Sequence, residues 1–121
     1  MKRYVVLLAY EPAEWARADP SSRQSFVEDH RAFEQYVEAR GRCRSSAALA
    51  DVDTATTLGR GVGDARTVSD GPLGELAEPI SGYYDVELPD LDSAISAARR
   101  LPGAYTVEVR PVVDVEGHAL A

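Results

Sequence analysis

The chain has 121 residues, the size of one domain with one core, and its 45% hydrophobic and 27% charged residues are an ordinary globular balance. A formal net charge of −7 argues against a phosphate-tracking nucleic-acid surface, and no apolar run approaches the ~20 residues of a membrane-spanning helix. The single cysteine, Cys43, excludes an internal disulfide.

The opening MKRYVVLLAY carries two basic residues and a short apolar run, as a secretory leader does. The run stops at Glu11-Pro12 without a small-residue cleavage pattern, so it reads as the first strand of a cytoplasmic protein. Tyr4 to Ala9 is apolar on both alternating faces, which predicts cover on both sides of the sheet. Asp19-Pro20 reads as a helix N-cap followed by proline at the first helical position. Phe26, His30, Phe33 and Val37 then share one helical face, and Gly41 stops the helix.

The basic run Arg40-Gly41-Arg42-Cys43-Arg44 at that helix end complements its dipole and is also the local spot for an anion contact. Its positive charge is the sort that lowers a thiol pKa, although Cys43 reads more simply as a half-buried hydrophobe at a strand entrance. Arg44 to Ala50 is extended. Ala55 to Arg60 and Ala65 to Ser69 form a hairpin around Gly59, Gly61 and Gly63. No helix signal and no Lys-Ser/Thr pair follow these glycines, which argues against a phosphate loop.

Asp70-Gly71-Pro72 is turn chemistry, with Glu75 and Glu78 close behind. Tyr83 to Leu88 alternates as a strand, and Pro89-Asp90 opens a second helix with the stripe Leu91, Ala94, Ile95, Ala98 and Leu101. Thr106 to Val113 is the last strand. Residues 1–113 form the domain and 114–121 a tail without pattern.

The order predicts an α+β fold: a ferredoxin-like split βαβ sandwich carrying an inserted β-hairpin. Two helices cover only one face of such a sheet. A second copy packed sheet to sheet would cover the other, which predicts a homodimer.

His30 interrupts an apolar stripe, so it is either a general acid–base group or a packed structural histidine. Asp70, where a strand meets a loop, is its candidate carboxylate partner or else the residue that steadies its own turn. Glu75, Tyr83, Tyr84 and, as an anion contact, Arg110 are candidate substrate contacts. Trp15 either lids a pocket or pins a loop. With only His30 and His118 and no paired-ligand spacing, no metal site is expected, and no cofactor is implied.

Arg3-Tyr4-Val5-Val6-Leu7-Leu8, Asp70-Gly71-Pro72-Leu73 with Glu75 and Glu78, Gly82-Tyr83-Tyr84, and Leu91-Asp92-Ser93-Ala94 into Leu101-Pro102 resemble the YCII-related family, most closely its DGPF-domain branch. The resemblance covers residues 3–113 and implies a dimeric α/β barrel with a pocket between helices and sheet and a His–Asp pair. His30, eleven residues before Gly41, matches the family spacing; Leu73 replaces the motif's Phe, and Ala39 stands where some members carry their acid. One relative is a dehydrochlorinase of a chlorinated hydroxyquinol, and some DGPF genes adjoin sigma factors of the extracytoplasmic-function type. The function expected is therefore a small cofactor-independent enzyme using His30 and Asp70 on a small organic substrate. The alternative is a non-catalytic ligand-binding or regulatory module, sigma-factor-associated.

Overall fold

The computed structural model describes residues 1–73 and 78–115. In chain order the elements are β1 (Lys2–Ala9), α1 (Pro12–Arg17), α2 (Pro20–Arg40), β2 (Arg42–Ala48), β3 (Thr56–Leu58), β4 (Val68–Asp70), β5 (Ile80–Leu88), α3 (Leu91–Ala98) and β6 (Thr106–Pro111). Short 3-10 turns at Val52–Thr54 and Gly63–Ala65 flank the β3–β4 hairpin.

Four strands form one antiparallel sheet in the order β2-β5-β1-β6, and β3 pairs with β4 in a separate two-stranded sheet. β5 lies between β1 and β2, and β1 lies between β5 and β6. Each strand–helix–strand unit is therefore split by a strand of the other, in an α+β chain whose sheet is open. Pro111, which lacks an N–H, falls at the end of edge strand β6, where little pairing is lost.

Helix α2 starts as its sequence dictates: the Asp19 carboxylate accepts from the Ser22 N–H at 2.7 Å, with Pro20 at the first position. Its inward stripe delivers Phe33 and Val37, both fully buried, onto Tyr4, Val6 and Leu8 of β1 and Tyr84, Val86 and Leu88 of β5. Each such side chain contributes about 1.5–3 kcal/mol on burial. Gly41 ends α2 for a reason other than a left-handed turn. Its φ of −164° is extended, but a Cβ there would run into the Glu87 carbonyl oxygen, so only glycine admits α2 this close to β5.

Two local expectations need correction. Pro12 and the residues after it form α1, a helix that the sequence pattern did not announce. The buried stripe of α3 is Ala94 and Ala97, continued by Leu101, whereas Leu91 and Ile95 are 49% and 38% exposed. Their period fits a helix face, but α3 presents its small residues to the core and leaves its branched ones outside.

Among the described residues, no helix residue of the core lies on the opposite face of the sheet. There Val5 and Leu7 of β1 are half-buried, and Arg3 grips Asp85 of β5 through Nε–Oδ1 at 2.9 Å and Nη2–Oδ2 at 2.5 Å.

Candidate functional site

Four side chains from three places in the chain meet on the helix-covered side of the sheet. His30 projects from α2 one turn before Phe33, Tyr84 from the middle of β5, and Tyr105 from the residue before β6. His30 Nδ1 lies 2.7 Å from the Tyr84 hydroxyl, and Nε2 lies 2.8 Å from the Tyr105 hydroxyl. The fourth is Glu34, one helical turn after His30, whose Oε2 accepts from the Tyr84 hydroxyl at 2.7 Å.

Proton accounting fixes the direction of this chain. An ionised carboxylate only accepts, so the single Tyr84 proton goes to Glu34. The Tyr84 oxygen must then accept, and His30 Nδ1 must carry the N–H. Neutral imidazole has one N–H, so Nε2 accepts from Tyr105. The line runs Tyr105 to His30 to Tyr84 to Glu34, every hydroxyl and ring nitrogen bonded, from the half-buried ring to an exposed carboxylate.

The electrostatics agree. Burial holds the His30 pKa below its ordinary 6.5, against the pull of the Glu34 and Asp29 charges. Burial, with the hydrogen bond and charge of Glu34 behind it, pushes the Tyr84 phenol far up. Burial, then Tyr10, pushes Tyr105 up to about 12. At neutral pH the ring is uncharged and both phenols keep their protons.

Aromatic packing holds the geometry. Tyr105 meets the His30 ring edge-on, centroids 5.4 Å apart at 89°, and Phe33 lies 4.4 Å from Tyr84. Phe26 sits 5.2 Å from His30 on one side and 5.2 Å from Trp15 on the other. Arg23 lies over the Trp15 ring at 5.0 Å and donates to its carbonyl, so Trp15 pins α1 to α2. Between α1, the start of α2 and residues 102–104 opens a cleft of about 500 Å³, walled by Tyr10, Trp15, Phe26 and Asp29. His30 stands behind Phe26, one ring away from that space.

Of the residues singled out by sequence, the structure brings together His30 and Tyr84. Tyr83 and Arg110 alternate to the opposite face, where Arg110 pairs with Glu108 at 3.5 Å. Asp70 ends β4, exposed and opposite Thr56 in the hairpin. The turn behind Asp70 is held by Gly71, whose φ of +109° favours glycine and whose N–H donates to the Ala55 carbonyl. Among the described residues no hydrogen bond joins Asp70 to His30, and the carboxylates acting on the ring are Glu34 and Asp29. Glu75 lies outside the described residues. Glu78 accepts from Thr106 at 3.1 Å, beside Tyr105 in sequence.

The Cys43 thiol is pushed up by burial, then by Glu38 and other acids, not lowered by its arginine neighbours. Arg42 and Arg44 turn instead to Glu87, at 3.2 and 2.7 Å. No group of three or more His, Cys, Asp or Glu side chains suited to a metal occurs among the described residues.

Sequence reasoning missed Glu34 and Tyr105. Glu34 was findable, because an acid four residues after a histidine shares its helix flank. Tyr105 offered no such signal, since its approach to His30 depends on sheet register.

The YCII-related domain family matches residues 2–116. A protein of Rhizobium meliloti (strain 1021), described as uncharacterized, is 37% identical over 82 residues, and the match spans 64% of this chain and 64% of that relative's length.

Proposed function

The chain belongs to the YCII-related family, and on that premise we propose that it is a small acid–base protein of the DGPF-type branch, cofactor-independent and cytoplasmic. Its substrate is a small organic molecule with a labile proton. His30 is the proton-accepting group, Tyr105 takes the substrate's proton as it passes its own to Nε2, and Tyr84 with Glu34 connects the ring to solvent. The observation that carries this reading is the unbroken line of hydrogen bonds through both nitrogens of a neutral, half-buried ring. A base held uncharged at neutral pH is ready to accept a proton. In this reading Glu34 takes the carboxylate part expected of Asp70, and Asp70 steadies its turn.

The working unit is a homodimer joined through the open sheet face, which closes two sheets into a barrel. Half-buried Val5 and Leu7 and the Arg3–Asp85 pair, with Asp85 only 8% exposed, support that face as the contact. Light scattering at micromolar concentration should read twice the chain mass; a one-chain mass would remove the dimer.

The test of activity is hydrogen–deuterium exchange of a panel of enolisable carbon acids in D₂O, followed by proton NMR. General acid–base catalysis is worth about 10²–10⁴-fold, so His30→Gln should slow exchange by at least that lower figure. A second reading, a ligand-binding or regulatory module such as a sigma-factor partner, is favoured by one fact: both ring nitrogens already have partners within the protein. Ligands bound equally by the wild type and His30→Gln, with no exchange in either, would establish it and overturn the first.

A further inference from the structure

We infer that the hollow between the base of the β3–β4 hairpin and the end of the four-stranded sheet binds a lipophilic amine, a small molecule with an apolar body and one ammonium group. The hollow has a volume of about 1060 Å³, enough for one drug-sized ligand, whose sites run to roughly 300–1,000 Å³. It shares no wall residue with the His30 chain or with the cleft between α1 and α2.

Four segments build it. The connection from β2 to β3 supplies the longest wall, and Glu11-Pro12 at the entry to α1, Pro72-Leu73 after β4 and Pro79-Ile80 at the start of β5 supply the rest. Leu49 and Leu73 stand at these walls 50% and 91% exposed. Large apolar side chains gathered around a concavity and left in water are surface that an apolar ligand covers.

The polar groups of the wall decide the charge of that ligand. Free donors are scarce. Thr54 Oγ1 donates to the Asp51 carbonyl and Thr57 Oγ1 to the Gly71 carbonyl, each at 2.6 Å. The Leu49, Thr54 and Ala55 N–H groups are spent on carbonyls, and Pro12, Pro72 and Pro79 have none. Acceptors are plentiful, because Glu11, Asp51 and Asp53 line the hollow and, among the described residues, no Lys, Arg or His does. Glu11 stands at the N-cap of α1 and Asp51 at that of the 3-10 turn Val52–Thr54, places where a carboxylate ordinarily accepts a backbone N–H. Neither side chain does so. Among the described residues none of the three acids accepts a hydrogen bond or pairs with a cation. An anionic ligand would meet three like charges here, whereas an ammonium brings three donors and the opposite charge.

The test is an NMR titration with phenylbutylamine, run beside phenylbutanol, phenylbutyrate and butylamine at neutral pH. Saturable shifts should appear at Leu49, Val52 and Ile80. The amine should bind at least about tenfold tighter than the alcohol, the worth of one charge-assisted contact, and the carboxylate should bind weakest. Butylamine, which keeps the charge but lacks the ring, should bind at least about tenfold weaker than phenylbutylamine. Glu11→Gln combined with Asp51→Asn and Asp53→Asn should bring the amine down to the alcohol's affinity and leave the alcohol's own unchanged. Asp64→Asn, on the exposed hairpin, should change neither, and thermal melts check that each variant folds. His30→Gln should leave amine binding intact, which separates this site from the acid–base chain. An alcohol bound as tightly as the amine, amine binding undiminished in the folded triple variant, or shifts that never saturate would overturn the assignment.

Discussion

Replacing Tyr84 with Phe removes one hydroxyl and keeps the ring, so the 4.4 Å packing on Phe33 survives and only the proton accounting changes. Two hydrogen bonds disappear, His30–Tyr84 and Tyr84–Glu34. Glu34 is exposed and exchanges its lost partner for water, so the cost falls on the half-buried Nδ1–H. An unsatisfied buried donor costs about 1–3 kcal/mol. Part of that is relieved if the proton moves to Nε2 and is donated to the Tyr105 oxygen. The net loss should be about 1–2 kcal/mol, a fall in Tm of about 4–8 °C for a chain of this size. Urea and thermal unfolding measure the energy, and long-range proton–nitrogen correlation NMR reads the tautomer. The wild type should show a protonated Nδ1 and a bare Nε2, and Tyr84→Phe the reverse. A wild-type ring protonated at Nε2, or a variant unchanged in both tautomer and stability, would refute the reasoning.

Because burial depresses the folded His30 pKa below 6.5, the unfolded chain takes up its proton first as pH falls. The stabilisation is therefore complete above pH 6.5 and is lost as pH falls toward the folded value; His30→Gln should flatten that part of a stability–pH curve measured in urea. Gly41→Ala forces a methyl into the Glu87 carbonyl and should cost about 3 kcal/mol by urea unfolding; a loss below about 0.5 kcal/mol would show that α2 shifts freely on β5. Arg3→Ala leaves the nearly buried Asp85 carboxylate without its two bonds and should destabilise by about 2–3 kcal/mol. The double variant with Asp85→Ala should lose less than the sum of the single changes.

What the sequence made legible was what local patterning controls. The alternation of β1, the Asp19-Pro20 start of α2 and the spacing of Phe26, His30, Phe33 and Val37 each follow from a period or a cap, and each appears in the structure. Tyr84 was legible as one of two alternating tyrosines, and burial picks it over Tyr83. Register and turn geometry were not legible. Asp70 uses the same turn chemistry whether or not it faces a histidine, so sequence could not separate the roles. Glu34 looks like any solvated helix charge until Tyr84 is set opposite it. Gly41 reads as a helix stop, but its reason lies in β5, 46 residues further along at Glu87.

The central claim is that the carboxylate governing His30 is Glu34. NMR titration of the His30 ring in wild type, Glu34→Gln and Asp70→Asn tests it most directly. Glu34→Gln keeps an oxygen for the Tyr84 hydroxyl but removes the charge that raises the ring's pKa, so the pKa should fall, while Asp70→Asn leaves it in place. A pKa that drops in Asp70→Asn and stays put in Glu34→Gln would contradict the account.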